Sequence, residues 1–164
     1  MNYTVEKWTL AALPEMLKLW NEVVAKGEAF PQENILDINT GKIFFESQSY
    51  CGICRNNMSG EIVGLYILHP NNVGRCGHIS NASYAVKVSK RGEGLGELLV
   101  KDSLHMAKEL GFRILQFNAV VADNLAANNL YPKLGFKKLG SIPGGFRNIS
   151  GQYKDINLYY YNLV

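Results

Sequence analysis

Residues 91–96 read Arg91-Gly92-Glu93-Gly94-Leu95-Gly96, set between a strand-like stretch, His78 to Val88, and an amphipathic stretch that runs on to Leu110. The order is strand, glycine-rich turn, helix. Glycines let the main chain approach a phosphate closely, and the start of a helix offers unpaired N–H groups and the positive end of its dipole. Arg91 adds a fork-shaped cation suited to phosphate. This is not a Walker loop, because Gly96 is followed by Glu97 and Leu98 where Lys and Ser/Thr are required. Nor does it stand where a dinucleotide fingerprint belongs, after the first strand of a βαβ unit; it follows the fourth strand. An anion-binding turn is the functional reading, and a tight connection is the plain one.

Outward from this turn the chain reads as a mixed α/β sheet with helices on its faces. Tyr3 to Trp8 is a first strand, and Thr9 is placed to cap a helix from Leu10 to Lys26. Leu13, Leu17, Trp20 and Val24 make one apolar stripe on that helix, and Gly27 stops it. Thr40 to Ser47 has the pattern of a weaker helix. Tyr50 to Arg55 and Ile62 to His69 read as strands around a turn at Asn56-Asn57-Met58-Ser59-Gly60. Ile114 to Val121 is nearly continuous apolar sequence, as in a strand covered on both faces. A short helix from Asn124 to about Leu134 and two last strands, Phe136 to Ile142 and Ile156 to Tyr161, complete a single domain over residues 1–164.

That short helix carries a second pattern: Asn124-Leu125-Ala126-Ala127-Asn128-Asn129-Leu130-Tyr131-Pro132-Lys133-Leu134-Gly135-Phe136. Asn124 has the chemistry of a helix cap and Gly135 that of a helix stop. Pro132 removes one helical hydrogen bond, so the last turn is bent or already ending. Composition narrows the class further. The 164 residues are 47% hydrophobic and 19% charged with a formal net charge of +3, enough apolar material for a core without staples. The basic residues are scattered, which argues against a nucleic-acid partner; a mild positive balance suits an anionic small ligand. No run approaches the apolar length of a membrane span, and the N-terminus lacks the pattern of a signal peptide. An odd cysteine count and no disulfide framework point to the reducing cytoplasm.

Together the two segments resemble the signatures of the GNAT superfamily of acetyl-CoA-dependent N-acetyltransferases. One signature, Arg/Gln-x-x-Gly-x-Gly/Ala, is matched by Arg91, Gly94 and Gly96. The other, Asn-x-x-Ala-x-x-Leu-Tyr-x-Lys-x-Gly-Phe, is matched by Asn124, Ala127, Leu130, Tyr131, Lys133, Gly135 and Phe136. The resemblance implies a splayed, mixed sheet of about seven strands flanked by about four helices, with acetyl-CoA as cosubstrate and no metal. It implies that the main chain of Val86, Lys87 and Val88 bonds the pantetheine arm and that N–H groups from Arg91, Gly92, Glu93, Gly94, Leu95 and Gly96 hold the pyrophosphate. Asn124 and Ala127 would flank the pantetheine. An unprotonated amine would attack the acetyl carbon directly, with the Val86 N–H meeting the developing oxyanion and Tyr131 acting as general acid toward the thiolate. The base is not readable; His78 and water relayed to bulk solvent are both open.

For the acceptor, Asn81 and Asn118 stand where apolar residues would be cheaper to bury. In the GNAT fold their strands are parallel neighbours that splay, so the two asparagines face each other across the cleft, as catalytic or substrate-binding groups or as a satisfied amide pair. The stretch Pro70 to Ala82, and again Gly140 to Arg147, is similar to fungal acetyltransferases acting on proline analogues such as azetidine-2-carboxylate; there the asparagines matching Asn81 and Asn118 are implicated in substrate binding or catalysis. This implies a small-molecule amine acceptor, an amino or imino acid. Phe30 and Pro31 are placed to line the acceptor pocket, and Arg147 to pair with a substrate carboxylate.

Two other features are set aside. Cys51 and Cys54 have Cys-x-x-Cys spacing but lie in a strand, where residues three apart point to opposite faces, so they read as buried thiols. Tyr159-Tyr160-Tyr161 alternates across the last strand, one face core and the other a candidate homodimer surface. The competing functions are acetylation of peptide or protein amines and a non-catalytic acyl-CoA-binding regulatory module.

Overall fold

The computed structural model describes residues 2–164. Seven strands form one sheet in the order β1-β2-β3-β4-β5-β7-β6, with β1 Tyr3–Lys7, β2 Tyr50–Asn56, β3 Ile62–Pro70, β4 Ile79–Val86, β5 Ile114–Val121, β6 Lys137–Arg147 and β7 Tyr153–Asn162. Four α-helices cover it: α1 Leu13–Lys26, α2 Ile38–Glu46, α3 Leu95–Glu109 and α4 Leu125–Lys133. Strand alternation sorts the side chains. Cys51, Ile53, Leu65, Ile67 and Ala85 pack under α1 and α2 around Met16, Trp20 and Phe45, whereas Cys54, Tyr66, Leu68, Leu115 and Phe117 pack under α3 and α4 around Leu95, Leu99 and Tyr131. Cys51 and Cys54 therefore occupy opposite faces of the sheet.

Every strand pair is antiparallel except β4 and β5. These run parallel and are paired only at Ile79↔Ile114 and Ser80↔Leu115; beyond those residues the two strands separate. This is the splay that positions the site.

Several boundaries differ from the sequence reading for local reasons. Thr9 makes no side-chain cap; Leu10–Ala12 is a 3-10 turn and α1 begins at Leu13, with Pro14 in its first turn. α2 starts earlier than expected because Asp37 and Thr40 form a reciprocal capping box. β4 stops at Val86, and Val88–Lys90 is a 3-10 turn. β6 does not end at Ile142: it continues to Arg147 through an irregularity between Ile142 and Phe146, where Gly144 has φ 62°.

Candidate functional site

The phosphate-binding turn is built by two left-handed glycines. Gly92 (φ 84°) and Gly94 (φ 80°) reverse the chain after the Val88–Lys90 turn, and Gly94 is the N-cap of α3. A Cβ on either would meet nothing within 4 Å, so the turn opens on free space. Gly94 has no capping side chain, and Leu98 is the first helical residue whose N–H finds an acceptor, the Gly94 carbonyl at 3.1 Å. The N–H groups from Gly92 to Glu97 have no acceptor among the described residues, the arrangement that captures an anion at a helix start. Arg91 is exposed and makes no ion pair among the described residues, and Leu95 turns its side chain into the core. Tyr3 and Lys90 bond the Glu93 carboxylate and hold its pKa below the usual carboxylate range, the Tyr3 hydroxyl foremost.

Hydrogen-bond phase along β4 decides which main-chain groups face the splay. The Lys87 N–H donates to the Val63 carbonyl at 2.8 Å, and Gly64↔Val86 is the next pair in the ladder. Alternation then turns the N–H and C=O groups of Val86, Tyr84 and Ala82 toward β5, from which β4 has separated. Val86 thus presents to the opening an N–H that has no acceptor among the described residues. Lys87 does not share this role. Its N–H is taken by Val63, its carbonyl accepts from Lys90, and its ammonium pairs with Glu61. Val88 has left the strand.

Tyr131 sits on the α3–α4 face, its ring centroid 4.4 Å from that of Phe117 and 5.6 Å from that of Tyr159. Three other tyrosines with buried or part-buried hydroxyls are satisfied by the protein: Tyr66 by Asp102 at 2.6 Å, Tyr84 by Ser103 at 2.7 Å and Tyr159 by Asn128 at 2.8 Å. The Tyr131 hydroxyl has no partner among the described residues although the residue is only 8% exposed. Burial pushes its pKa well above the phenol value, with a smaller contribution from Tyr159. It remains a proton donor throughout the neutral range. Pro132 lies just after it, within the last turn of α4, as the sequence suggested.

Asn124 caps α4 by accepting from the Ala127 N–H at 3.2 Å, so its oxygen and that N–H are engaged with each other. Asn128, which the sequence reading passed over, ties the helix to the sheet. Its amide donates to the carbonyls of Val121, Ala122 and Asn124, and its oxygen accepts from Asn157 and Tyr159.

The acceptor side lies on the opposite face. Asn81 shares the phase of Ala85 and Asn118 that of Gln116, both toward α1 and α2. Two expectations change here. Asn118 is exposed and Asn81 half-buried, so neither is a core amide. Nor do they bond each other; each donates to the side-chain oxygen of Asn71, Asn81 at 3.3 Å and Asn118 more closely. Asn71 carries no sequence signal beyond its place in a loop. Phe30, within the α1–α2 loop, is 6% exposed with its ring centroid 4.4 Å from that of Trp20, a core residue. Arg147 is held by Glu33 at 2.6 Å, and Ile149 donates to the Gly27 carbonyl at 2.9 Å; the β6–β7 hairpin thereby closes over that loop. His78 is exposed, and its carbonyl accepts from Arg113.

Among the described residues no cluster of His, Cys, Asp and Glu could hold a metal ion, and no helix is long and apolar enough to cross a membrane. Residues 13–136 match the model of the acetyltransferase (GNAT) family. The chain is 34% identical to the N-acetyltransferase aca1 of Schizosaccharomyces pombe over 63% of its own length and 50% of that relative's, so it spans about half of that protein. It is 25% identical, over 99% of this chain and 96% of the relative, to the L-methionine sulfoximine/L-methionine sulfone acetyltransferase of Pseudomonas aeruginosa. Its fold superposes with a TM-score of 0.90, over 99% of this chain and 89% of the other, on a Sinorhizobium meliloti phosphinothricin acetyltransferase solved with acetyl-CoA, at 17% identity. With its splayed sheet and glycine-rich anion turn, the chain belongs to the GNAT family of acetyltransferases.

Proposed function

We propose that this protein transfers an acetyl group from acetyl-CoA to the amine of a small amino or imino acid, by direct attack while both substrates are bound. The observation that carries the reading is Tyr131, a buried tyrosine packed on Phe117 of β5 whose hydroxyl has no partner among the described residues, together with the Val86 N–H that β4 turns toward the same splay. Acetyl-CoA supplies an activated thioester. The N–H groups of Gly92 to Glu97 would hold its pyrophosphate, and Val86 with Tyr84 and Ala82 would offer the strand edge along which its arm lies. The Val86 N–H would meet the charge that develops on the carbonyl oxygen, while Tyr131 would deliver its proton to the departing sulfur. Asn81 and Asn118, on the other face, would receive the amine. Phe30 would back that pocket, and Arg147, paired with Glu33, would stand at its rim.

Support for a small acceptor comes from the β6–β7 hairpin, which closes the α1–α2 side through Arg147–Glu33 and Ile149–Gly27, where a peptide would need an open groove. Relatives named for methionine sulfoximine and phosphinothricin carry amino-acid-like acceptors in their names. The test is an acceptor screen that follows CoA release with amino acids, imino acids, polyamines and short peptides. Turnover confined to peptides overturns the small-molecule reading, and binding of acetyl-CoA with no turnover on any amine makes the protein a non-catalytic acyl-CoA module.

A further inference from the structure

The parallel ladder of β4 and β5 ends at Ser80 and Leu115, and the next residue on β4, Asn81, is paired with His69 of β3 but has no strand partner on the β5 side. Asn71 supplies that constraint. Its own N–H donates to the Ile79 carbonyl at 2.7 Å, which anchors it one residue past the end of β3. Its side-chain oxygen has two lone pairs, and it uses them on Asn81 from β4 and Asn118 from β5. Gln116 donates to the Asn118 oxygen at 3.1 Å, so the Asn118 carboxamide is held at both ends. The Asn81 oxygen has no partner among the described residues, which leaves an acceptor for an amine N–H.

We propose that Asn71 is a positioning residue for the amine acceptor: one carboxamide oxygen spans the mouth of the β4–β5 splay and sets the orientation of both Asn81 and Asn118. The inference rests on the acetyl-transfer reading above. Orienting two amides before the substrate arrives removes rotamer freedom that binding would otherwise have to freeze. The cofactor side, on the opposite face, does not involve Asn71, so its loss separates the two substrates.

Two variants and a ligand-free measurement test this. Asn71→Leu keeps the size and removes the acceptor, whereas Asn71→Asp keeps both lone pairs. With the fastest amine of the acceptor screen, Asn71→Leu raises the KM for the amine about tenfold, as expected for losing a bridging hydrogen bond, and leaves the KM for acetyl-CoA unchanged. Asn71→Asp restores the amine KM. In 15N spectra of the free protein, the side-chain amide signals of Asn81 and Asn118 move together toward free-asparagine values in Asn71→Leu and stay in place in Asn71→Asp. Equal changes in both KM values, failure of Asn71→Asp to rescue, or unmoved amide signals would each overturn the proposal. Wild-type protein that turns over no amine would instead sink the acetyl-transfer reading, and the spectra would still decide whether the bridge exists.

Discussion

Glu97, in the first turn of α3, binds Lys133, in the last turn of α4, at 3.0 Å, and it also binds Lys101 at 2.7 Å. The pair joins the helix that begins at the anion turn to the helix that carries Tyr131. The hydrogen bonds of Lys101 and then Lys133 hold the Glu97 carboxyl at about 2. A carboxyl whose folded pKa is depressed stabilises the fold above its unfolded pKa and loses that contribution as pH falls through the folded one. Wild type should therefore exceed Glu97→Gln in stability at neutral pH, and the gap should close as pH drops from about 4.3 toward about 2. Urea midpoints across that window check it. Because the pair is exposed, high salt should shrink the gap as well.

Tyr131→Phe removes a proton donor without disturbing the ring contacts to Phe117 and Phe136. The turnover number should fall roughly hundredfold, the scale of lost general-acid catalysis, with acetyl-CoA affinity unchanged by calorimetry. Since burial lifts the Tyr131 pKa well above that of free phenol, its neutral, donating form persists through alkaline pH. The wild-type rate should show no descending limb from Tyr131 below about pH 10.

Features written in short windows were legible before any coordinates. Ile114 to Val121 is a strand with the bounds its apolar run predicts, and the Arg91 to Gly96 turn is an open helix start because glycine alone tolerates φ values near 80°. What escaped depends on partners distant in sequence. Asn71 matters through Asn118, 47 residues away. Asn128 looks like any helical asparagine until Asn157 and Tyr159 meet it. The run Pro143-Gly144-Gly145 reads locally as a break, yet pairing with β7 carries β6 across it. Asn118 was expected to be buried because its neighbours are apolar, but the splay opens on its side of β5.

Cys51 and Cys54 are both fully buried, and burial lifts their thiols to about 12 and about 11. Cys76 is exposed. Thiolate is the reactive form, so at pH 8 a disulfide reagent should titrate Cys76 alone in native protein and all three cysteines in urea. The linkage has the matching sign. Above about 8.5, where an unfolded thiol ionises, the unfolded chain gains by releasing protons that the folded thiols keep. Stability should decline with rising pH, and Cys51→Ala should flatten that decline.

Gly94→Ala probes the anion turn itself. The added methyl meets no atom within 4 Å, but φ stays at 80°, and an L-residue held there costs about 1–2 kcal/mol. Part of that penalty should appear as lost stability. The remainder should appear as weaker CoA binding, because the turn can relieve the strain by swinging away from the conformation that leaves the N–H groups of Gly92 to Glu97 without an acceptor among the described residues. Gly60→Ala is the control: it too has positive φ (74°) and open space, but it lies in the β2–β3 turn. Calorimetric titration with CoA should show reduced affinity for Gly94→Ala and wild-type affinity for Gly60→Ala, at similar losses of stability. Equal CoA affinity in the two variants would remove the turn from the cofactor site.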